Sequence, residues 1–385
     1  MAFLDKFRRI TSSDNFIPEI DGLRFFAILP VMMHHVYRHF LRMHPDRIDE
    51  IVSNPFDYIL SFGGLGVEVF FVISGCILGM PFASNALLGT RKVNIKKYFI
   101  RRLTRLEPPF ILCILGIYFA HLFLLKDSME GFDAPHLWAT LTYSHYFIYG
   151  AWSTLNPVTW SLETEVQFYI LAPLLASLFL FRKKHLRRCI MAGAVIAWTI
   201  VKAYSFPALE ACHLDKSVLS YICLFFVGFL FADFFLTDLK KITANYYWDL
   251  VCVLSMCSIF LFAWKYMHPF QHLLFLASIF LFFVSVFKSV LWNRFFTSKL
   301  ITTIGGMCYS LYLLHYPLIV FLLPYTLKIQ MFDDIRWNLL VQMAILIPVI
   351  IVMVGLFFIT IERPCMRKDW PQQLYNKIKR LWQHN

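Results

Sequence analysis

The strongest constraint on this chain is a succession of apolar runs, each roughly 17 to 25 residues long, the length a helix needs to cross a bilayer. They fall at about 23–41, 59–80, 99–125, 158–181, 189–206, 217–236, 248–267, 271–290, 301–325 and 338–361. Within lipid every backbone N–H and C=O must be satisfied inside its own segment, so such runs are read as helices. The fold class expected is therefore all-α: a polytopic membrane helix bundle of about ten transmembrane helices. The run at 59–80 is the weakest plain helix, because Gly63, Gly64 and Gly66 loosen its start.

Composition excludes the main alternatives. Of 385 residues, 59% are hydrophobic and only 16% are charged, against about 25% charged in an ordinary soluble domain. A single water-soluble core cannot hide 41 Phe and 10 Trp, and a disordered chain needs low hydrophobicity. None of the nine Cys is spaced as CxxC. Most sit in apolar runs as small hydrophobes, which argues against a disulfide framework and against a metal site. The formal charge of +12 is accounted for by basic residues flanking spans, so no nucleic-acid partner is inferred. The first run has no small-residue cleavage site and is taken as a retained span.

Orientation follows from where Lys and Arg lie. They crowd alternate connections: Lys6 to Arg9, Arg91 to Arg105, Arg182 to Arg188, Lys240 and Lys241, Lys288 to Lys299, and the tail from Arg363. The other connections collect acids, among them Asp46, Asp49, Glu50, Asp57, Asp133, Asp333 and Asp334. Both termini are accordingly expected to be cytoplasmic. Residues 1–365 are expected to form one membrane domain, and 366–385 a basic amphipathic tail on the inner leaflet, with Lys377, Lys379, Arg380 and Trp382.

Ionisable groups within spans are costly and mark functional positions by default. Arg24 and His35 lie eleven residues apart, so they share a helix face and are separated by about 16 Å along its axis. Arg24 near the inner end can hold an anionic group, and His35 further out can move protons near neutral pH. Alternatively, Arg24 snorkels to the interface beside Asp21. Arg102 and Arg105 are neighbours on one face and together suit a phosphate; as plain positive-inside anchors they would look the same. Ser161, Glu165 and Tyr169 recur every four residues along one face, placing a carboxylate at a depth close to that of His35. A structural hydrogen bond would explain Glu165 equally well. His315, with Tyr312 one turn before it, and Glu68, just after the glycines, have both a structural and a supporting reading. Glu163 and His34 point elsewhere and read as structural.

In order along the chain, these positions resemble the acyltransferase-3 family of integral membrane acyltransferases, over about Ile20 to Pro364. The resemblance rests on Ile20-Asp21-Gly22-Leu23-Arg24 with His35, on Gly66 to Gly75, and on Arg102-Leu103-Thr104-Arg105-Leu106-Glu107-Pro108-Pro109. It continues through Trp160 to Tyr169, Tyr309 to Pro317 and Ile361-Glu362-Arg363-Pro364. Two departures are Glu68, where Asp is common, and Cys76, in the place often held by Phe.

The resemblance implies transfer of an acyl group, usually acetyl, from cytoplasmic acyl-CoA to a hydroxyl of an extracytoplasmic glycan or lipid-linked saccharide. It implies a stand-alone type without an esterase-like domain, in a bacterial inner membrane, with acetyl-CoA as donor substrate. It also implies that Arg24, Arg102 and Arg105 hold the coenzyme, that His35 is the base and that Glu165 assists it. Glu68, Ser161, Tyr169, Tyr312 and His315 are supporting residues. The competing class is a transporter of a sugar or lipid-linked substrate. That class often carries inverted repeats, and the sequence shows none.

Overall fold

The computed structural model describes residues 6–10, 16–52, 55–125, 132–263 and 268–383. Among these residues the chain is built of helices and their connections, with no strand. We label the principal helices α1 (Pro18–Met43), α2 (Leu65–Leu88), α3 (Ile95–Ala120), α4 (Trp160–Leu175), α5 (Lys184–Ala211) and α6 (Val218–Thr237). They continue as α7 (Tyr247–Leu261), α8 (Pro269–Lys288), α9 (Lys299–Gly306), α10 (Cys308–Thr326), α11 (Ile335–Phe357) and α12 (Trp370–Gln383).

Among the described residues every expected run contains helix, but the runs are not equivalent. Among the described residues, eight helical segments, including short flanking turns, are long and apolar enough to cross a membrane. The helix α1 has the length, at 26 residues, yet carries Glu19, Asp21, Arg24, Arg38 and Arg42. The helix α7 has 15 residues, about 22 Å, which falls short of a bilayer core. Residues 264–267 of the expected seventh run lie outside the described ones.

Two runs are each divided, and next to each break a glycine allows a close helix crossing. The run at 59–80 divides into a short helix, Pro55–Ser61, and α2. Gly66 then lets α2 lie against α1 so closely that a Cβ there would sit 1.9 Å from the Ala27 carbonyl oxygen. The run expected at 301–325 is likewise two helices, broken at Met307. A Cβ on Gly305 would sit 1.8 Å from the Asp21 carbonyl oxygen, so only glycine allows α9 to touch the start of α1.

The helix α6 fills the middle of the main core, with Phe225, Phe229 and Phe231 fully buried. Phe225 stacks on Phe168 of α4 at 3.8 Å between ring centroids. A second core joins α1, α10 and α11 through Ile28, Val36, Leu311, Ile319, Leu346 and Ile350. The α5–α6 pair is fixed by ions: Arg187 pairs with the buried Asp233, and Arg188 Nε donates to the same carboxylate at 2.7 Å.

The two ends of the chain meet at one end of the bundle, where Arg363 Nε donates to the Arg8 carbonyl at 3.1 Å. The tail begins there as well, with Trp370 Nε1 donating to the Thr104 carbonyl at 3.1 Å. Within the tail, Trp370–Gln383 forms α12, and the side chains of Lys377, Arg380 and Trp382 lie outside the described ones.

Candidate functional site

The site is assembled from the basic end inward. Pro18 opens α1 with a φ suited to a first turn. Asp21, 1% exposed, holds two guanidiniums: Arg24 Nη1 at 2.6 Å from Oδ1 and Arg9 Nε at 2.9 Å from Oδ2. Arg24 is thus held by Asp21, with its side chain 15% exposed. In α3, whose first turn is capped by Asn94 accepting from Lys97 N at 2.9 Å, Arg102 lies over the ring of Tyr169 at 5.4 Å and that of Tyr98 at 5.8 Å. Arg105 lies within electrostatic range of Arg24, Arg102 and Glu362, and Arg9 is in range of both Arg24 and Arg105. The Nε of Arg105 is buried and has no hydrogen-bond partner among the described residues.

Four guanidiniums therefore face Asp21 and Glu362, with Glu165 as a third carboxylate reaching the cluster through Tyr169. The surplus of charge, with fork-shaped donors, suits an anion such as a phosphate group. Glu362 was named in the sequence only within a closing motif, not as a site residue. It is buried and accepts from Ser310 N at 3.1 Å and from Ser310 Oγ. The available signal was a carboxylate inside an apolar run.

Further along, the shared face of Ser161, Glu165 and Tyr169 is used as one surface. Glu165 accepts from the hydroxyls of Ser74 and Tyr169. Ser161 Oγ donates to the Tyr312 hydroxyl at 3.0 Å, and Tyr312 donates to the Val158 carbonyl. Tyr309, at the start of α10, donates to the Leu106 carbonyl at 2.8 Å. Ser74 and Tyr309 are contributors that spacing alone did not single out.

The ring of His35 lies 5.1 Å from that of His315, 5.3 Å from His34 and 5.2 Å from Tyr316. The residue that meets His35 is therefore His315, while Glu165 meets Ser74 and Tyr169. His315 is fully buried, with Nδ1 at 2.9 Å from the carbonyls of both Leu311 and Tyr312. A carbonyl only accepts, so Nδ1 carries the proton and Nε2 keeps its lone pair in the neutral ring. That Nε2 is buried without a partner among the described residues. His34 turns away, to the Leu60 carbonyl at 2.8 Å.

Glu68 lies within electrostatic range of Lys202, which is 6% exposed and has its ammonium 4.9 Å over the ring of Tyr221. Glu163 anchors a connection by accepting from Tyr146 N at 3.1 Å. Among the described residues no group of three or more His, Cys, Asp or Glu is arranged to hold a metal.

The fold and these buried charges define an integral membrane protein with a cluster of guanidiniums at one end and an imidazole pair deeper in the bundle. An acyltransferase-domain family model (Acyl_transf_3) matches residues 17–361, and the chain belongs to that family. Similar curated proteins include the O-acetyltransferase OatA of Staphylococcus aureus strain NCTC 8325 / PS 47, 27% identical over 344 residues. OatA of S. aureus strain COL matches to the same degree. Each alignment covers 83% of this chain and 53% of the relative, so the chain spans about half the length of the curated relatives it matches. No solved structure matches it significantly.

Proposed function

We propose that this protein is a transmembrane O-acyltransferase that moves an acyl group, acetyl in the simplest case, from cytoplasmic acyl-CoA to a hydroxyl of an extracytoplasmic carbohydrate. The observation that carries the reading is the arrangement along α1. Arg24 stands in a cluster with Arg9, Arg102 and Arg105, and His35 stands three turns further along the same helix beside His315. The arginine end is assigned to the cytoplasm because the Lys- and Arg-rich connections lie there. The membrane is then the bacterial inner membrane, and both termini are cytoplasmic.

In this reading Arg24, Arg102 and Arg105 hold the coenzyme's phosphates, with Arg9 and Glu362 fixing the guanidiniums. The uncharged arm of the coenzyme reaches toward His35. His35 takes the proton of the acceptor hydroxyl as its oxygen attacks the thioester carbonyl carbon. The C–S bond breaks, the proton passes from His35 to the departing thiolate, and the products are an ester and free coenzyme A. Tyr169, Ser161, Tyr312 and Glu165 line the course between the arginines and the imidazoles, and Glu68 acts from the neighbouring Lys202 side. A pure transporter would not need a phosphate-type anchor on the same helix as a buried histidine pair.

The test is isothermal titration of coenzyme A into the purified protein, coupled to transfer assays in membrane vesicles. Replacing both arginines (Arg102→Ala with Arg105→Ala) is expected to weaken coenzyme binding about a hundredfold. His35→Ala is expected to bind the coenzyme normally and to lose transfer. Normal binding by the double variant, or full transfer by a folded His35→Ala protein, overturns the reading.

A further inference from the structure

At the end of the bundle away from the arginines, the connections before α4 and between α5 and α6 bring an aromatic group onto a half-satisfied carboxylate. Trp160 lies at this end: it precedes Tyr169, the partner of Arg102, by nine residues of α4, about 14 Å. Trp152 and Trp160 sit 5.6 Å apart at 63°, and Tyr146 packs 5.4 Å from Trp152. Asp215 is only 4% exposed. Its Oδ2 accepts from the Tyr146 hydroxyl at 3.1 Å and lies 3.0 Å from Lys216 Nζ. Its Oδ1 is buried with no hydrogen-bond partner among the described residues. The Lys216 ammonium stands 5.6 Å over Trp152 and 5.8 Å over Trp160.

We infer that this group is the acceptor subsite, and that it takes an uncharged, hydroxyl-rich saccharide ring. The inference rests on the acyl-transfer reading and deepens it. Each part of the group asks for a different feature of the ligand. The indole of Trp152, 47% exposed, offers a flat apolar face against which the C–H side of a sugar ring packs. Asp215 Oδ1 is an acceptor left over in a buried place, and a hydroxyl donor removes that cost. Asp215 and Lys216 neutralise each other, and Lys202 and Glu210, also within electrostatic range of the group, carry opposite signs, so no single charge is in surplus, unlike in the arginine cluster at the other end. An apolar ligand would leave Oδ1 unpaired. A plain interfacial tryptophan needs no buried carboxylate at all.

The subsite is also joined to the histidine pair. Trp160 is followed by Ser161, which bonds Tyr312, and His315, which meets His35, lies one turn beyond Tyr312. The subsite and the histidine pair thus share the α4–α10 contact made by Ser161 and Tyr312.

The test uses the full chain in membrane vesicles, radiolabelled acetyl-CoA, and oligosaccharides released by mild acid from the surface glycans of the source cells. Trp152→Ala and Asp215→Asn are each expected to raise the KM for saccharide by about tenfold. Their kcat and their KM for acetyl-CoA stay unchanged, and Trp152→Phe restores most of the loss. An unchanged saccharide KM in Trp152→Ala, or a loss that falls on the acetyl-CoA KM, overturns the subsite. Because Trp152 is half exposed, its variants decide the matter even if Asp215→Asn fails to fold. Wild-type vesicles that acylate no saccharide while the protein still binds coenzyme A overturn the acyl-transfer reading, and the subsite with it.

Discussion

His35 and His315 come from opposite ends of the chain, yet their rings stand 5.1 Å apart, and the second is held so that its buried Nε2 keeps the lone pair. The backbone of α10 thus sets the tautomer of one imidazole, and that imidazole forms part of the wall around the other.

His315→Ala is expected to lower acyl transfer in membrane vesicles by about tenfold or more while coenzyme affinity, measured by titration, stays at the wild-type value. Loss of the buried ring also costs stability, of the order of 2–4 kcal/mol, seen as a lower melting temperature of the solubilised protein. Full transfer by a folded variant would reduce His315 to packing.

Glu362 lies beside Arg105 and takes two donors from Ser310. Glu362→Gln removes a negative charge from the cluster proposed to hold phosphates. Coenzyme A should therefore bind at least as tightly as to wild type, while the melting temperature falls because Arg105 loses a countercharge. Weaker coenzyme binding at an unchanged melting temperature would mean that Glu362 itself touches the ligand.

Gly305→Ala places a methyl group against the Asp21 carbonyl, which is backbone and cannot turn aside. The substitution should cost about 1–3 kcal/mol through overpacking. It should also weaken coenzyme binding, because Asp21 positions Arg24 and Arg9. Gly64→Ala, where a Cβ meets nothing within 4 Å, is the control expected to leave both unchanged.

Asp238, in the connection after α6, is paired with Lys241, Lys184 and Arg188, and these cations hold its carboxyl well below the usual carboxylate range. A carboxyl whose pKa is depressed in the fold contributes stability that is present above its unfolded value, near pH 4, and is lost as pH falls below it. Asp238→Asn should therefore lower the melting temperature by about 1–3 °C at neutral pH. The difference from wild type should shrink as the pH is taken down from about 5 toward 3. A difference independent of pH would show that Asp238 acts through its hydrogen bonds alone.

The sequence by itself determined that the chain is a bundle of membrane helices, because an apolar run in lipid must close its hydrogen bonds locally. It also marked Arg24, His35, Arg102, Arg105 and Glu165, since a charge within such a run stands out without knowledge of its neighbours. Shared faces such as Ser161, Glu165 and Tyr169 were readable for the same reason: helical periodicity is local. Which groups those residues meet was decided only by the packing of helices distant in sequence. Glu68 has Lys202 within electrostatic range, Glu165 meets Ser74, and His35 meets His315. The break at Met307 and the crossing at Gly305 belong to the same class. They depend on how near one helix backbone comes to another, a quantity fixed by surface complementarity and not by the pattern within either helix.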